Sequence, residues 1–185
     1  MRFIFIITLI SSLFPSYEKD VQTRLILAEP GDTIHLGEGT FSIQGSLSME
    51  GKQNIVIAGN GIDKTILSFK GQTDGAEGLR INNCKNITMV DFTIQDSKGD
   101  AIKAQDIDGI IFRRVKVEWT NGPSSENGAY GLYPVLCQNV LIEYSIAVGA
   151  SDAGIYVGQS KNIIVRNSEA YHNVAGIEIE NSIQA

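Results

Sequence analysis

Two similar sequence units follow each other near the end of this chain: NVLIEYSIAVGASDAGIYVGQSK at Asn139–Lys161 and NIIVRNSEAYHNVAGIEIENSIQ at Asn162–Gln184. Each copy opens with Asn and three apolar residues, turns at a polar residue, and carries Ala-Gly-Ile before a second turn. A unit of about 23 residues cannot bury its own apolar face. Copies must therefore stack on one another, as the repeats of a solenoid do.

The same unit can be followed upstream in two independent columns of residues. The opening positions are Asn54, Asn86, Gly109, Asn139 and Asn162. The second members of the Gly-Ile dipeptide are Leu79, Ile102, Leu132, Ile155 and Ile177, at spacings of 23, 30, 23 and 22 residues. Apolar residues alternate with polar ones between these columns, which predicts strands with one inward face and parallel register from unit to unit. We therefore predict an all-β fold, a single-stranded parallel β-helix.

The start of the solenoid is predicted to be closed by a helix. Residues Tyr17–Ala28 place apolar side chains at helical spacing, and Pro30 ends the pattern. We predict one domain over residues 17–185, with a cap at 17–30 and coils at 31–185. The sequence stops at Ala185, where another strand should begin, so we expect the C-terminal end of the β-helix to be truncated.

The first 16 residues are typical of an export signal. Arg2 precedes the apolar run Phe3–Ile10, and Pro15 breaks the pattern soon after. This run is too short to span a bilayer. We expect a secreted or periplasmic protein; the alternative is a buried first strand. The net charge of −6 in 185 residues gives no basic face for nucleic acid or an anionic membrane, and we expect a monomer.

Two cysteines in an exported chain suggest a disulfide, but the repeat argues against one. Cys84 and Cys137 occupy equivalent places, two coils apart. Two steps of about 4.8 Å separate them by about 10 Å, beyond the roughly 7 Å that a disulfide spans. We predict that both are reduced.

Several short motifs resemble the right-handed parallel β-helix superfamily of pectate-lyase-like proteins. Pro30–Ile34 followed by Gly39–Phe41 is similar to the start of that fold after its capping helix. Asn86–Thr88 and Gly154–Val157 resemble the repeats of NosD-like periplasmic proteins and mannuronan C5-epimerases. The resemblance implies that the parallel β-helix is right-handed. It does not imply one activity, because this fold hosts lyases, hydrolases, epimerases and adhesins.

The epimerase motif itself is not kept. Those enzymes carry Tyr-Gly-Ile-Asp-Pro-His-Asp where this chain has Tyr130–Leu136, so Tyr133, Val135 and Leu136 replace an acid, a histidine and a second acid. Neither Val nor Leu can transfer a proton. The comparison argues against alginate-epimerase chemistry at this place.

The residue after each Gly-Ile dipeptide is predicted to point outward and to stack above its equivalents. These residues are Arg80, Lys103, Tyr133, Tyr156 and Glu178. A polysaccharide lying along the axis could stack on the tyrosines and place acidic groups on the cations. The competing interpretation is that any exposed strand face carries such residues.

Two longer segments precede this column, at 68–77 and 118–129. Long loops on a rigid scaffold often carry function. Trp119, the only tryptophan, begins the second of these segments. It is a candidate sugar platform, and the alternative is that it pins the loop onto the coil.

We expect no cofactor, and calcium is the alternative that the superfamily suggests. The aspartates concerned are Asp91, Asp96, Asp100, Asp106 and Asp108, whose spacing matches no EF-hand loop. His35 and His172 lie too far apart in the solenoid to share a metal.

These features predict an exported β-helix protein that binds a polysaccharide along its exposed sheet through Arg80, Lys103, Tyr133, Tyr156 and Trp119. The residues show no complete catalytic motif, so whether the protein is an enzyme stays open. One alternative is a polysaccharide lyase or hydrolase with its acid and base on the Arg80–Tyr156 column or beyond Ala185. Another, resting on repeat resemblance, is a NosD-like periplasmic accessory protein.

Overall fold

The structure, a computed structural model, describes residues 16–185. The predicted export signal lies outside the described residues except for Ser16. One helix, α1 (Tyr17–Leu27), precedes the strands. The strands are β1 (Thr33–His35), β2 (Gly39–Ser42), β3 (Leu47–Glu50), β4 (Gln53–Ala58), β5 (Thr65–Ser68), β6 (Leu79–Asn82), β7 (Lys85–Gln95), β8 (Ile102–Gln105), β9 (Asp108–Glu118), β10 (Leu132–Val135), β11 (Gln138–Glu143), β12 (Ile146–Val148), β13 (Ala153–Gly158), β14 (Lys161–Arg166), β15 (Glu169–Tyr171) and β16 (Ala175–Glu180).

The strands form two parallel sheets that wind around one core. One sheet has six strands in the order β16-β13-β10-β8-β6-β3, and the other has ten strands built around β1-β4-β7-β9-β11-β14. Leu79 pairs with Ile102, Ile102 with Leu132 and Leu132 with Ile155. The predicted repeat register is therefore confirmed, and so is the parallel β-helix.

Inward residues stack on their equivalents and form a continuous core. Met89 lies above Phe112 and Phe112 above Ile142, and all three are fully buried. The same holds for Leu79, Ile102 and Leu132 in the six-stranded sheet. Because each coil has almost no interior of its own, its apolar residues leave water only by stacking.

The coils turn at corners that require left-handed backbone. The openers Asn54, Asn86, Asn139 and Asn162 all have φ between 53° and 57°, a conformation that Asn tolerates better than most residues. Their side chains form a ladder: Asn86 donates to Asn54 Oδ1 at 2.9 Å, and Asn162 donates to Asn139 Oδ1 at 3.0 Å. At Gly109 the ladder has no side chain, and Asn139 donates to Asp108 instead.

Helix α1 closes the start of the solenoid, as predicted. Val21 and Leu25 are buried over the first coil, and the Tyr17 ring stacks on Phe41 with centroids 3.6 Å apart. Gln22 satisfies the free edge of β3, donating to Ser48 O and accepting from Ser48 N, each at 2.9 Å. Within residues 16–185, no helix has the length and apolar character needed to cross a membrane.

The two cysteines are free and buried, and they are two coils apart. The backbone carbonyl of Cys84 accepts from Asp108 in the next coil, and that of Cys137 from Lys161 in the coil after its own. Burial raises the pKa of both thiols, that of Cys137 to about 11. Both therefore stay in the unreactive thiol form at neutral pH.

Candidate functional site

The predicted column of outward residues exists on the six-stranded sheet. Arg80 pairs in register with Lys103, Lys103 with Tyr133, and Tyr156 with Glu178. We call Arg80, Lys103, Tyr133, Tyr156 and Glu178 the outward column. In β6 and β10 the strand neighbours on either side are inward and buried, so the alternation of the sheet alone presents the column to solvent.

Three tyrosines meet on this face, and one of them was not predicted as a site residue. Tyr130 lies at the end of the long loop, and its ring centroid is 4.7 Å from that of Tyr133 and 4.6 Å from that of Tyr156. Tyr133 and Tyr156 are 5.3 Å apart at an angle of 76°. We call Tyr130, Tyr133 and Tyr156 the tyrosine cluster; each residue is partly exposed.

The phenol groups of the tyrosine cluster have raised pKa values. Tyr156 Oη donates to Glu180 at 2.9 Å, and this bond, followed by burial, raises the pKa of Tyr156 to about 12. Burial, followed by the charge of Asp152, raises the pKa of Tyr130 to about 12. Burial also raises the pKa of Tyr133. At neutral pH all three keep their protons, so none is suited to act as a base.

The two cations of the outward column are Arg80 and Lys103. Neither Arg80 nor Lys103 forms an ion pair with any other residue in the described part of the chain. Lys103 Nζ instead lies 5.3 Å from the centre of the Tyr133 ring, a cation–π contact. Two like charges directly opposite each other on neighbouring strands are destabilising, and a bound anion would relieve that repulsion.

Charges on the other sheet are arranged differently. Glu143 lies between Arg113 and Arg166, at 2.6 Å and 2.7 Å. The hydrogen bonds from Arg166 and Arg113 hold the pKa of the Glu143 carboxyl below its ordinary value. Glu143 and its two arginines therefore pair with one another within the fold. The cations of the outward column, in contrast, remain available to a ligand.

Asp100 lies at the edge of the outward column, just before β8. Its Oδ1 accepts from the backbone N–H of Tyr130 at 3.2 Å. Burial raises the pKa of its carboxyl, outweighing the opposing effects of that hydrogen bond and of Lys103. From the sequence, Asp100 was considered only as a turn residue or a calcium ligand. Aspartate is common in the turns before strands, so nothing in the sequence distinguished it.

Trp119 does not reach the surface. Only 5% of it is exposed, and its Nε1–H donates to the carbonyl of Ser97 at 2.7 Å. Its ring packs against the Gly128 backbone, where a Cβ atom would lie 2.7 Å from it. Trp119 therefore fixes the long loop to the coil, and a sugar has no access to its ring. The sugar-platform expectation is wrong for this residue, because the indole fills the base of the loop.

Within the stretch that matches the epimerase motif, Val135 and Leu136 carry no group that could transfer a proton. Val135 lies in the outward row between Gln105 and Gly158. Leu136 occupies a corner with φ 56° and is 47% exposed. Val135 and Leu136 therefore serve the strand and the corner of this coil and not a reaction.

The candidate calcium ligands are dispersed. Asp91 binds Arg114 through both oxygens, at 2.5 Å and 2.8 Å, and Asp96 accepts two hydrogen bonds from Thr120. Asp108 accepts from Asn139. Over residues 16–185, no three side chains of His, Cys, Asp or Glu lie close enough to share a metal ion.

A groove of about 410 Å³ lies beside the long loop, lined by Pro123–Ser125, Ala150, Ser151 and His172–Val174. None of the three tyrosines of the cluster lines it. The outward column itself is an open face, which suits a long ligand better than a small enclosed one.

Comparison with known proteins agrees with this architecture. The family model for the right-handed beta helix region matches residues 35–184. Among solved structures, the chain is similar to a candidate glycosyl hydrolase from Parabacteroides merdae, with a TM-score of 0.50 and 9% identity over 83% of this chain and 80% of that chain. At that identity the likeness concerns the fold alone. No curated protein matches the chain significantly. Because the family match covers most of its length, this chain belongs to the right-handed beta helix family.

Proposed function

We propose that this protein binds a glycan chain along the outward column. The observation that carries the proposal is the tyrosine cluster beside Lys103 and Arg80, two cations without acidic partners among residues 16–185. Partly exposed tyrosine rings contact the apolar faces of sugars, and their hydroxyls bond to sugar oxygens. Arg80 and Lys103 supply charge-assisted hydrogen bonds to carboxylates or sulfates.

The geometry suits an extended chain along the solenoid axis. Parallel strands are about 4.8 Å apart, close to the length of one sugar unit, so successive sugars meet successive coils. The column is rigid because each of its strands is paired on both sides from β6 to β13. Export, which the N-terminal sequence predicts, brings this face to the compartments where structural glycans occur. The fold neighbour being a candidate glycosyl hydrolase is consistent with a carbohydrate ligand.

Replacing both Tyr133 and Tyr156 with alanine is expected to weaken glycan binding by about 30- to 150-fold, because each ring contributes about 1–1.5 kcal/mol. The measurement is affinity gel electrophoresis with immobilised acidic and neutral polysaccharides, followed by calorimetry with the strongest one.

The matched control is Tyr144→Asn, which removes an exposed tyrosine from a corner with φ 52° on the other sheet. Asn tolerates that backbone conformation, so this variant should fold and bind like the parent. Undiminished binding by the Tyr133→Ala, Tyr156→Ala variant would rule out the outward column as the binding face.

A second candidate function is hydrolysis of the bound glycan, and the specific observation in its favour is Asp100. A carboxyl whose pKa is raised by burial beside a binding face has the property of a general acid. Asp152, whose charge acts on Tyr130, supplies a second carboxyl at the same edge.

Asp100→Asn is expected to lower the release of reducing ends from a bound polysaccharide by at least about 100-fold while leaving the dissociation constant nearly unchanged. Reducing-end assays and calorimetry on the same polymer separate the two effects. Asp63→Asn, an exposed change away from this edge, is the control. If the parent protein binds the polymer and releases no reducing ends, the hydrolase candidate is wrong and the binding function stands.

A further inference from the structure

The charges of the outward column are sorted along the solenoid axis. Arg80 and Lys103 lie in two successive coils, the tyrosine cluster covers the next two, and Glu178 and Glu180 follow in the coil after those. Four coil steps of about 4.8 Å put the Arg80 and Glu178 strands about 19 Å apart. The outward column is therefore basic at one end, aromatic in the middle and acidic at the other end. Glu50 lies exposed on β3, the strand next to β6, beyond the basic end.

This separation is not needed by the fold. On the ten-stranded sheet, opposite charges are neighbours in register: Glu143 pairs with Arg113 and with Arg166. On the outward column, the cations and the carboxylates are separated by the two coils that carry Tyr133 and Tyr156. Glu180 is bound by the Tyr156 hydroxyl and not by a cation of the described residues.

An axial glycan must match this pattern sugar by sugar. A sugar carboxylate at the Arg80 and Lys103 coils meets two cations that form no ion pair within residues 16–185. A carboxylate at the last coil meets Glu178 and Glu180, where like charges repel. The two sugars between these ends contact tyrosine rings, which favour apolar sugar faces.

We infer that the ligand is a linear heteroglycan whose acidic residues are isolated, each followed by several uncharged sugars, and not a polymer of uronic acid alone. This inference rests on the proposed function. A homopolymeric uronate chain places a carboxylate at every coil, so any register that satisfies Arg80 brings a like charge onto Glu178 and Glu180. A neutral glycan avoids that repulsion but leaves both cations without partners.

The probes are deacylated gellan, polygalacturonate and a neutral β-glucan. Gellan has one glucuronate in each tetrasaccharide repeat, so a glucuronate at the Lys103 coil places the next one a coil beyond Glu178. The full chain is expected to bind gellan at least about tenfold more tightly than either of the others at low salt. Calorimetry at two ionic strengths should show that gellan binding weakens with salt.

The decisive variant is Glu178→Gln, Glu180→Gln, in which the amide oxygen introduced at the second position can still accept from the Tyr156 hydroxyl. It should bind polygalacturonate about tenfold more tightly than the parent at low salt. Glu38→Gln, Glu169→Gln is the matched control, because it removes the same charge from exposed positions outside the column. It should leave polygalacturonate binding at the parent value.

Two results would overturn the inference while leaving the binding function intact. One is a parent protein that binds polygalacturonate as tightly as gellan. The other is a gain from Glu178→Gln, Glu180→Gln that the charge-matched control reproduces. A parent protein that binds none of the three polymers would overturn the proposed function itself.

Discussion

Replacing Phe112 with alanine is expected to lower the free energy of unfolding by about 3–5 kcal/mol. Phe112 is fully buried and lies between Met89 and Ile142 in the inward stack of the ten-stranded sheet. Removing the ring leaves a cavity that neighbouring coils cannot close, because their register is set by backbone hydrogen bonds on both sides. Urea unfolding followed by circular dichroism measures the loss.

The control is the neighbouring residue on the same strand. Ile111 points outward and is partly exposed, so Ile111→Ala should cost about 1 kcal/mol or less. Similar losses for Phe112→Ala and Ile111→Ala would contradict the inward and outward faces assigned to β9.

Replacing Trp119 with alanine is expected to destabilise the protein by about 3–5 kcal/mol and to weaken glycan binding as a secondary effect. The indole fills the base of the long loop and donates to Ser97. The same loop ends at Tyr130, whose ring completes the tyrosine cluster. Without the indole, the loop loses its anchor and Tyr130 loses its fixed position.

Trp119→Phe separates the two roles that the sequence left open for this residue. It keeps most of the packing and removes the hydrogen bond, so a loss of about 1 kcal/mol in stability is expected, with glycan binding unchanged. Thermal unfolding and calorimetry on both variants test this. A Trp119→Phe protein that is stably folded but no longer binds glycan would show that the indole itself contacts sugar.

The fold was accessible from the sequence because each of its elements repeats. The openers Asn54 to Asn162 and the Gly-Ile dipeptides recur with the coil, and recurrence at fixed spacing implies stacking in register. The predicted outward column followed directly, since alternation along a strand determines which side chains point away from the core.

The parts that sequence reasoning missed lie where the repeat is interrupted. Tyr130 and Asp100 are the second residues before two strands, at positions where the repeat carries no constant residue type. Trp119 begins an insertion, and the repeat does not predict how the inserted residues pack on the coils. Its burial depends on contacts with Ser97 and Gly128, which come from different coils.

By itself, the sequence determined the β-helix, its register, its helical cap and the direction in which Arg80, Lys103, Tyr133 and Tyr156 point. Periodicity and alternation are local properties that any one strand shares with its equivalents. Only the tertiary structure decided that three tyrosines meet, that Trp119 is buried, that Asp100 has a raised pKa, and that Arg80 and Lys103 lack ion-pair partners among residues 16–185. Those properties depend on where loops return and on which side chains come within contact distance, and no repeat period encodes them.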